Sequence, residues 1–475
     1  MKVLYVGSEA SPYSSSGGLG DVMGALPEAV SNASSEITTE VITPLYNSVK
    51  EKFSNELTKV CDLTFKLSWR STGATIYSVE KGRVTYYFVE NRYYFDREWL
   101  YGEWDDGERF AFFSKAVIEF ILSGVITPDI IHANDWQSAL SIVYLKTVYK
   151  DVEVLKGIKS VFSIHNIEYQ GKYDPAILED VFGISKEFFS IFEYNGCINL
   201  LKAALITADY VLTVSPNYSA ELEYDYFSFG LSPIIRDIKS KFNGILNGID
   251  YSCFSPKNTE DLVCAYDKRS VKNGKKKNKV ALQEELGLSI DEEIPLIAMI
   301  TRLTDGKGID LLIHILDELL TNDLQLVILG TGDKRYEEKL EEAAERHKNF
   351  KAVIAFDRAL SKRIYSAADI FLMPSKSEPC GLAQMIACAY GTVPIVHAVG
   401  GLKDTIKPYG CEGYNGFSFV NYNAHELLFT VKSALNLYKD TREWSIIRKN
   451  AMSSDFSWRK SAKEYIAIYR KITNL

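Results

Sequence analysis

The sequence predicts an α/β protein with two doubly wound domains, on the basis of its length, its strand pattern and the position of its loops. The chain has 475 residues, of which 46% are hydrophobic and 24% charged, enough for two or more sizeable cores. Short β-branched and aliphatic runs alternate with helical patterns, which is typical of β–α units in parallel sheets. The polar and glycine motifs follow these runs, where open α/β sheets bind their ligands.

The predicted strands form two sets, each about the size of one doubly wound domain. The first set covers residues 3–6, 41–43, 85–89, 130–132, 160–164 and 211–214. The second covers residues 296–300, 324–329, 352–355, 370–373 and 393–396. The seam between the sets is predicted within residues 251–262, where the composition becomes polar.

Charge and cysteine content exclude several classes of protein. The net charge of −8 argues against nucleic acid as a partner. Seven cysteines occur without a C-x-x-C pair, which favours a reducing compartment and no structural zinc. No apolar run reaches the roughly 18 residues of a membrane span, and the first residues do not resemble a secretory leader. We therefore expect a cytoplasmic protein without a membrane partner.

A lysine-rich stretch at residues 268–279 breaks the pattern of strands and helices. It is interpreted as a solvated loop that precedes a helix starting near Val280. The alternative interpretation is an anion-binding patch.

The segment from Glu378 to Leu382 is the most informative part of the chain. It follows the predicted strand 370–373 and opens a helical run, which places a carboxylate at a helix N-terminus. The amides of Cys380, Gly381 and Leu382 would then be available to an anionic or hydroxyl-rich ligand. The alternative is that Glu378 only caps the helix.

A glycine-rich loop runs from Ser15 to Asp21, after the first predicted strand. It departs from a dinucleotide fingerprint because Met23 stands where the third glycine should be, so no nucleotide cofactor is predicted. Gly18 and Gly20 still suit a backbone that approaches a phosphate or a sugar closely. A plain tight turn is the alternative.

Two cations follow the predicted strand 296–300. Arg302 can hold a phosphate through two hydrogen bonds, and Lys307 adds a mobile point charge. Together they suit a departing diphosphate, whereas either residue alone would suit a surface salt bridge.

Two further strands end in hydrogen-bonding side chains. His132 and Asp135 end one of them, and His165 with Asn166 ends the next. His132 is interpreted as a structural histidine, and the pair His165 and Asn166 as candidates for a functional role. Neither H-E-x-x-H nor G-x-S-x-G occurs, so zinc hydrolysis and a hydrolase triad find little support.

Taken in order, these motifs resemble those of bacterial glycogen synthases, the starch synthase type of retaining glucosyltransferase. The resemblance covers essentially the whole chain. The shared motifs are Gly17-Gly-Leu-Gly-Asp21, Asp135-Trp136, His165-Asn-Ile-x-Tyr-Gln-Gly171, Leu201-Lys202, Val214-Ser-Pro216, Gly244-Ile-Leu-Asn-Gly-Ile-Asp250, Arg302-Leu-Thr-x-x-Lys-Gly308, Phe371-Leu-Met-Pro-Ser375, Glu378-Pro-Cys-Gly-Leu-x-Gln384, Tyr390-Gly-Thr-Val-Pro394, Gly400-Gly-Leu-x-Asp-Thr405 and Ser457-Trp458.

The resemblance implies the GT-B architecture, in which two Rossmann-like doubly wound domains face each other across a deep cleft. It implies an N-terminal, acceptor-side catalytic domain at residues 1–252 and a C-terminal nucleotide-sugar-binding domain at residues 253–456. Residues 457–475 are then expected to form a helix that crosses back to the N-terminal domain.

The resemblance also implies an activity and its partners. Glucose would pass from ADP-glucose to the non-reducing end of an α-1,4-glucan such as glycogen, with retention of configuration and without a metal or cofactor. The residues that match the family's catalytic groups are Glu378, Arg302, Lys307, Asp135 and His165. Those that match or adjoin its substrate-binding groups are Ser15, Gly17, Gly18, Asp21, Asn166, Asn247, Cys380, Gly381 and Leu382.

Two departures from the family pattern leave alternatives open. Ser15 stands where the family loop has a lysine, and Asn134 and Gln137 replace two histidines. Loss of one charge-assisted contact, about 1.5–3 kcal/mol, would weaken donor use roughly ten- to a hundredfold. The alternatives are therefore a glucan-binding paralogue with little turnover and a GT-B transferase that acts on another acceptor.

Overall fold

The computed structural model describes residues 1–257 and 260–474, which divide into two compact units. Unit 1 comprises Met1–Asn247 and the segment that begins at Trp458, and unit 2 is the chain between them. Residues 258 and 259 of the predicted seam, and the last residue of the predicted terminal helix, lie outside the described residues. No helix within 1–257 and 260–474 is long and apolar enough to cross a membrane.

Within its described residues, unit 1 is built on a nine-stranded sheet and a small three-stranded sheet. The strands in chain order are β1 Lys2–Val6, β2 Thr38–Pro44, β3 Thr58–Leu67, β4 Arg70–Lys81, β5 Val84–Glu90, β6 Ile130–Asn134, β7 Lys159–Ile164, β8 Lys172–Tyr173, β9 Glu193–Tyr194, β10 Cys197–Asn199, β11 Tyr210–Thr213 and β12 Phe242–Gly244. The order in the large sheet is β12-β11-β7-β6-β1-β2-β5-β4-β3. Neighbouring strands in this order are parallel from β12 as far as β5. The pairs β5–β4 and β4–β3 are antiparallel.

Ten helices precede the domain seam in unit 1. They are α1 Gly18–Ala33, α2 Asn47–Phe53, α3 Arg92–Phe95, α4 Asp106–Leu122, α5 Ala139–Lys146, α6 Ile177–Asp180, α7 Phe189–Phe192, α8 Leu200–Thr207, α9 Pro216–Glu221 and α10 Ser232–Asp237 among the residues described. Local sequence sets several starts: Ser215 caps α9 by accepting from the amide of Tyr218, and Pro216 takes the first helical position.

Unit 2 contains one parallel six-stranded sheet in the part of the chain that the structure describes. Its strands are β13 Leu296–Ile300, β14 Gln325–Leu329, β15 Phe350–Val353, β16 Ile370–Met373, β17 Val393–His397 and β18 Phe417–Phe419, in the order β15-β14-β13-β16-β17-β18. Its helices are α11 Val271–Glu285, α12 Ile309–Leu320, α13 Lys334–Arg346, α14 Arg358–Ala367, α15 Ala383–Ala389, α16 Gly400–Thr405, α17 Ala424–Tyr438 and α18 Thr441–Ser453. The apolar face of α12 illustrates the packing, since Leu312, Ile315 and Leu319 recur at helical spacing and are buried.

The prediction of a solvated loop at residues 268–279 is wrong, because most of that stretch lies inside α11. Lys275 and Lys279 are four residues apart on one helix face and are both buried. The Lys275 ammonium donates to the Thr392 hydroxyl at 2.7 Å and to three backbone carbonyls. Lys279 pairs with Asp369 at 2.6 Å. A buried ammonium is tolerated only with such partners, which the lysine pattern does not disclose.

The final helix, α19 at Trp458–Thr473, belongs to unit 1 and packs on α1. Its buried residues include Ala462, Tyr465 and Tyr469, one face at helical spacing. The Tyr469 hydroxyl lies 2.8 Å from that of Tyr5 in β1 and 2.7 Å from Nδ1 of His132 in β6. This buried network fixes α19 to the centre of the large sheet.

Candidate active site

The glycine-rich loop connects β1 to the N-terminus of α1. Gly17 is extended and precedes the first helical residue, Gly18. The amides of both glycines have no hydrogen-bond acceptor among the described residues, and both lie in open space. The Ser15 hydroxyl donates to the Gly17 carbonyl at 3.3 Å. A Cβ at Gly20 would lie 2.4 Å from that hydroxyl oxygen, so Gly20 is required by the packing of Ser15.

Asp135 follows β6 in a strained backbone conformation, with φ at 58°. Its Oδ1 accepts from the amide of His165 at 2.7 Å, which joins two of the predicted catalytic residues. Burial raises the pKa of the Asp135 carboxyl to about 7, against the lowering effect of the amides of His165 and Asn166. The charge of Glu9 adds to the increase. Asp135 is therefore poised to change charge near neutral pH.

His165 is held in one neutral tautomer by Asn134. The Asn134 amide nitrogen donates to the carbonyls of Val6 and His132, at 3.2 and 3.1 Å, which turns its Oδ1 toward His165 Nε2 at 2.9 Å. Since Oδ1 can only accept, Nε2 carries the hydrogen and Nδ1 is the acceptor. Burial also lowers the pKa of the His165 imidazole to about 4. Asn134, which departs from the family pattern, thus fixes a neutral imidazole.

The other predicted residues of unit 1 are less closely connected. Asn166 accepts from the amide of Glu168 at 3.0 Å, and Asp21 lies exposed in the first turn of α1. Asn247 is 5% exposed, and its Oδ1 has no hydrogen-bond partner among the described residues. His132 bonds through both ring nitrogens, to Tyr469 and Ser163, and burial lowers the pKa of its imidazole to about 3. These contacts agree with a structural role for His132.

Asp135→Asn is expected to raise the free energy of unfolding by about 1–3 kcal/mol at neutral and alkaline pH. The folded-state pKa of about 7 exceeds the ordinary value of 3.8, so wild type loses stability as pH rises between these values. Below this pH window the side chain at position 135 is neutral in both proteins, and the stability advantage of Asp135→Asn vanishes. The expected gain in unfolding free energy is smaller than the full pKa shift implies, because Asp135 keeps partial contact with solvent.

Melting temperatures of wild type and Asp135→Asn, recorded between about pH 5 and about pH 8, test this expectation. The difference should grow with pH up to about 7 and then stay constant. Asp151→Asn, which changes an exposed carboxylate of the same unit, is the matched control. A difference that is independent of pH would contradict the shifted pKa.

In unit 2, the structure brings Glu378 and Lys307 together. The Lys307 ammonium lies 2.7 Å from Glu378 Oε2, and the Ser375 hydroxyl donates to the same oxygen at 2.9 Å. The contact arises because β13 and β16 are neighbours in the sheet, so the loops that follow them meet. Glu378 is 7% exposed. Arg302 follows β13 as predicted, but its exposed guanidinium has no ion-pair or hydrogen-bond partner among the described residues.

The helix that follows Glu378 starts one residue after the helical run expected from Leu382. It begins at Ala383, so Cys380 and Gly381 precede it and Leu382 is its cap residue. Gly381 has φ at 71°, a left-handed conformation that favours glycine. The amides of Gly381 and Leu382 have no acceptor in the described part of the chain. Gly381 and Leu382 therefore keep two of the predicted donors available, in the turn that leads into the helix.

A second pair of glycines fixes the backbone of Glu378. The amide of Gly401, in the first turn of α16, donates to the Glu378 carbonyl at 3.1 Å. A Cβ at Gly400 would lie 1.9 Å from that carbonyl oxygen. The Gly400-Gly401 motif therefore allows α16 to seat directly against the Glu378 loop.

The sequence did not disclose the contacts of several polar groups near these residues. Glu9, Asn134 and Ser375 contact predicted site residues or their loops. The side-chain oxygens of Gln137 and Gln384 are buried without a hydrogen-bond partner among the described residues, as is that of Asn247. Residues 1–257 and 260–474 contain no group of three His, Cys, Asp or Glu side chains that could hold a metal ion.

Two family models match the chain. The starch synthase catalytic domain matches residues 2–237, and the glycosyl transferases group 1 model matches residues 284–451. The glycogen synthase of Clostridium botulinum (strain Eklund 17B / Type B) is 45% identical over 480 residues, which covers 100% of both chains. The chain belongs to the bacterial glycogen synthase family. The glycogen synthase of Exiguobacterium sibiricum is 42% identical to this chain over 99% of each chain.

Solved structures agree with this family assignment. The catalytic domain of starch synthase IV from Arabidopsis thaliana, bound to ADP and acarbose, superposes with a TM-score of 0.90 at 30% identity, covering 100% of this chain and 99% of that one. Sucrose-phosphate synthase from Thermosynechococcus elongatus has a TM-score of 0.62 at 18% identity, over 99% and 98% of the chains, and shows the fold alone. The predicted family, the GT-B fold and the glucosyltransferase class are thereby confirmed.

Proposed function

We propose that this glycogen synthase family member transfers glucose from ADP-glucose to the non-reducing end of an α-1,4-glucan, with retention of configuration. Family membership supports a nucleotide sugar and a glucan as substrates, and the starch synthase IV structure contains ADP. The observation that carries the proposal is the buried Glu378 held by Lys307 at 2.7 Å, both on loops at one edge of a parallel sheet.

The unit 2 residues act on the charges that develop as the glycosidic bond to diphosphate breaks. Negative charge grows on the leaving diphosphate, which Arg302 and Lys307 stabilise, and positive character grows on the anomeric carbon. The Glu378 carboxylate lies near the donor glucose and interacts favourably with that positive character. The available amides of Gly381 and Leu382, together with Cys380, hold phosphate and hexose oxygens.

The unit 1 residues hold the sugar and the phosphate end of the donor. Asp135, His165 and Asn247 accept hydrogen bonds from sugar hydroxyls, since each offers an acceptor: a carboxylate, the Nδ1 of a neutral imidazole and an unpartnered amide oxygen. Gly17 and Gly18 donate their available amides to phosphate. Asp21 and Asn166 flank these contacts.

We also propose a cytoplasmic location, because all seven cysteines are free thiols, as expected in a reducing compartment.

An incorporation assay tests the donor and the stereochemistry together. Purified protein is incubated with glycogen primer and labelled ADP-glucose or UDP-glucose, and the new linkage is analysed by NMR. We expect faster incorporation from ADP-glucose and an α-1,4 linkage. Preference for UDP-glucose would contradict the proposed donor. In parallel reactions with other sugar acceptors, incorporation into one of these but not into glycogen would support the transferase with a different substrate.

A glucan-binding paralogue with little turnover is the second candidate, and Ser15 is the observation that favours it. Among the described residues its hydroxyl hydrogen-bonds only within the loop, at a position where the family pattern has a lysine. Ser15→Lys is expected to lower the KM for ADP-glucose roughly threefold or more, because the cation adds to an anion site already formed by the Gly17 and Gly18 amides.

Steady-state kinetics of the two proteins check this prediction. A lower KM with unchanged kcat indicates equal stabilisation of ground and transition states, whereas a higher kcat indicates action on the departing diphosphate. Ser35→Lys adds the same charge beyond the far end of α1, about 24 Å along the helix, and should change neither constant. Absence of wild-type turnover would favour the paralogue, and an unchanged or higher KM in Ser15→Lys would refute this account of the loop.

A further inference from the structure

Glu9 is a buried carboxylate with an unusual set of partners. It lies shortly after β1, is 2% exposed, and makes no ion pair with any described residue. Its two oxygens accept hydrogen bonds from backbone amides of the glycine-rich loop: Oε2 from Ser16, and Oε1 from Gly20 at 3.1 Å. Burial of an unpaired carboxylate is costly, and these two amides offset part of that cost.

The two amides that Glu9 engages lie on either side of Gly17 and Gly18. Glu9 therefore accepts from the amides of Ser16 and Gly20, whereas those of Gly17 and Gly18 have no acceptor among the described residues. The Ser15 hydroxyl adds a third restraint by donating to the Gly17 carbonyl. The loop is thus held at both ends, while its central residues Gly17 and Gly18 are exposed.

The charge of Glu9 has the wrong sign to attract a phosphate. A carboxylate close to an anion site opposes anion binding, and Asp21 and Asp135 add to the negative charge around the loop. Any benefit to donor binding must therefore come from the conformation that Glu9 imposes. A preorganised loop binds without a further ordering cost.

We propose that Glu9 is a positioning residue for the donor, which holds the glycine-rich loop so that the Gly17 and Gly18 amides point at the diphosphate. This inference rests on the proposed function, because it assigns a residue to the same donor site. Glu9 and the loop would then have different roles. Glu9 fixes the loop conformation, and the Gly17 and Gly18 amides contact the ligand.

Two variants of different severity test the proposal. Glu9→Ala removes both acceptors and should raise the KM for ADP-glucose, and the Kd for ADP measured by calorimetry, about tenfold or more. Glu9→Gln retains one carbonyl acceptor but turns an NH₂ group toward the other amide, so an intermediate increase is expected. The KM for glycogen should change less than about twofold in both. If Glu9→Ala does not fold, Glu9→Gln carries the test.

Glu40→Gln is the matched control. Glu40 is a half-buried glutamate of β2 in the same unit, with one oxygen that has no hydrogen-bond partner among the described residues. This variant should leave the KM for ADP-glucose and the Kd for ADP unchanged.

The possible outcomes separate the two roles of Glu9. A lower melting temperature and a lower apparent kcat with unchanged donor KM would assign Glu9 to stability alone and overturn the proposal. Tighter ADP binding in the variants would show that the charge, not the loop, dominates, and would also overturn it. A wild type that binds ADP without turnover would refute the proposed activity but leave the positioning role testable by Kd. A wild type that does not bind ADP would refute both.

Discussion

Glu378→Gln is expected to lower kcat for glucan synthesis at least about a hundredfold, the scale seen when one preorganised charge stabiliser is removed. The variant keeps the size of the side chain and an acceptor for the Ser375 hydroxyl, but it loses the negative charge. It also loses the charge partner of Lys307. The KM for ADP-glucose should change far less than kcat, because the carboxylate interacts chiefly with charge that develops in the transition state.

Unit 2 offers a matched control for this variant. Glu318 forms an ion pair with Lys432 at 2.7 Å, the same distance as the Glu378 and Lys307 pair, but the two side chains are 55% and 42% exposed. Glu318→Gln should leave kcat unchanged, since exposed ion pairs contribute little. Single-turnover measurements distinguish lost chemistry from slow product release. A Glu378→Gln enzyme with near-normal single-turnover rates would contradict the role of Glu378.

Lys307→Ala and Arg302→Ala are each expected to lower kcat/KM for ADP-glucose at least about a hundredfold. Both remove a cation from the loop after β13, where the leaving diphosphate is proposed to bind. Lys307→Ala should be the more severe, because it also leaves the buried Glu378 carboxylate without its cation. Arg302 has no protein partner among the described residues, so its loss should affect the ligand only.

Steady-state kinetics with ADP-glucose as the varied substrate check these variants, with Lys432→Ala as the control. Combining Lys307→Ala with Glu378→Gln should cost less than the two single losses together, because residues that act as a unit are not additive. Near-normal turnover in both Arg302→Ala and Lys307→Ala would mean that the diphosphate binds elsewhere.

The central strands were predictable because they are continuous aliphatic runs. All eleven predicted strands occur, although the one expected at 352–355 is observed at Phe350–Val353. The antiparallel strands β3 and β4 were missed, since their alternating polar and apolar residues lack a buried run. The burial of Lys275 and Lys279 was missed for a different reason. Their partners, Thr392 and Asp369, are more than eighty residues away in sequence.

The candidate site was predictable where residues follow strands. Lys307 follows β13 and Glu378 follows β16. In unit 1, Asp135 follows β6 and His165 follows β7. Their contacts depend on strand order, which puts β13 beside β16 and β6 beside β7 and cannot be read from local patterns.

Glu9 and Asn134 could not be assigned roles from sequence. The partners of Glu9 are backbone amides, which leave no residue signature, and Asn134 acts through an amide orientation fixed by the sheet. Both roles become visible only once the loop and the strands are assembled.

Release of ADP from ADP-glucose in the presence and absence of glycogen tests the central claim most directly. We expect steady ADP release that depends on glycogen in wild type, with parallel elongation of the glucan, and at least about a hundredfold slower release in Glu378→Gln. Wild-type protein that binds glycogen but releases no ADP, or that releases it equally with and without glycogen, would contradict the assignment as a glucan synthase.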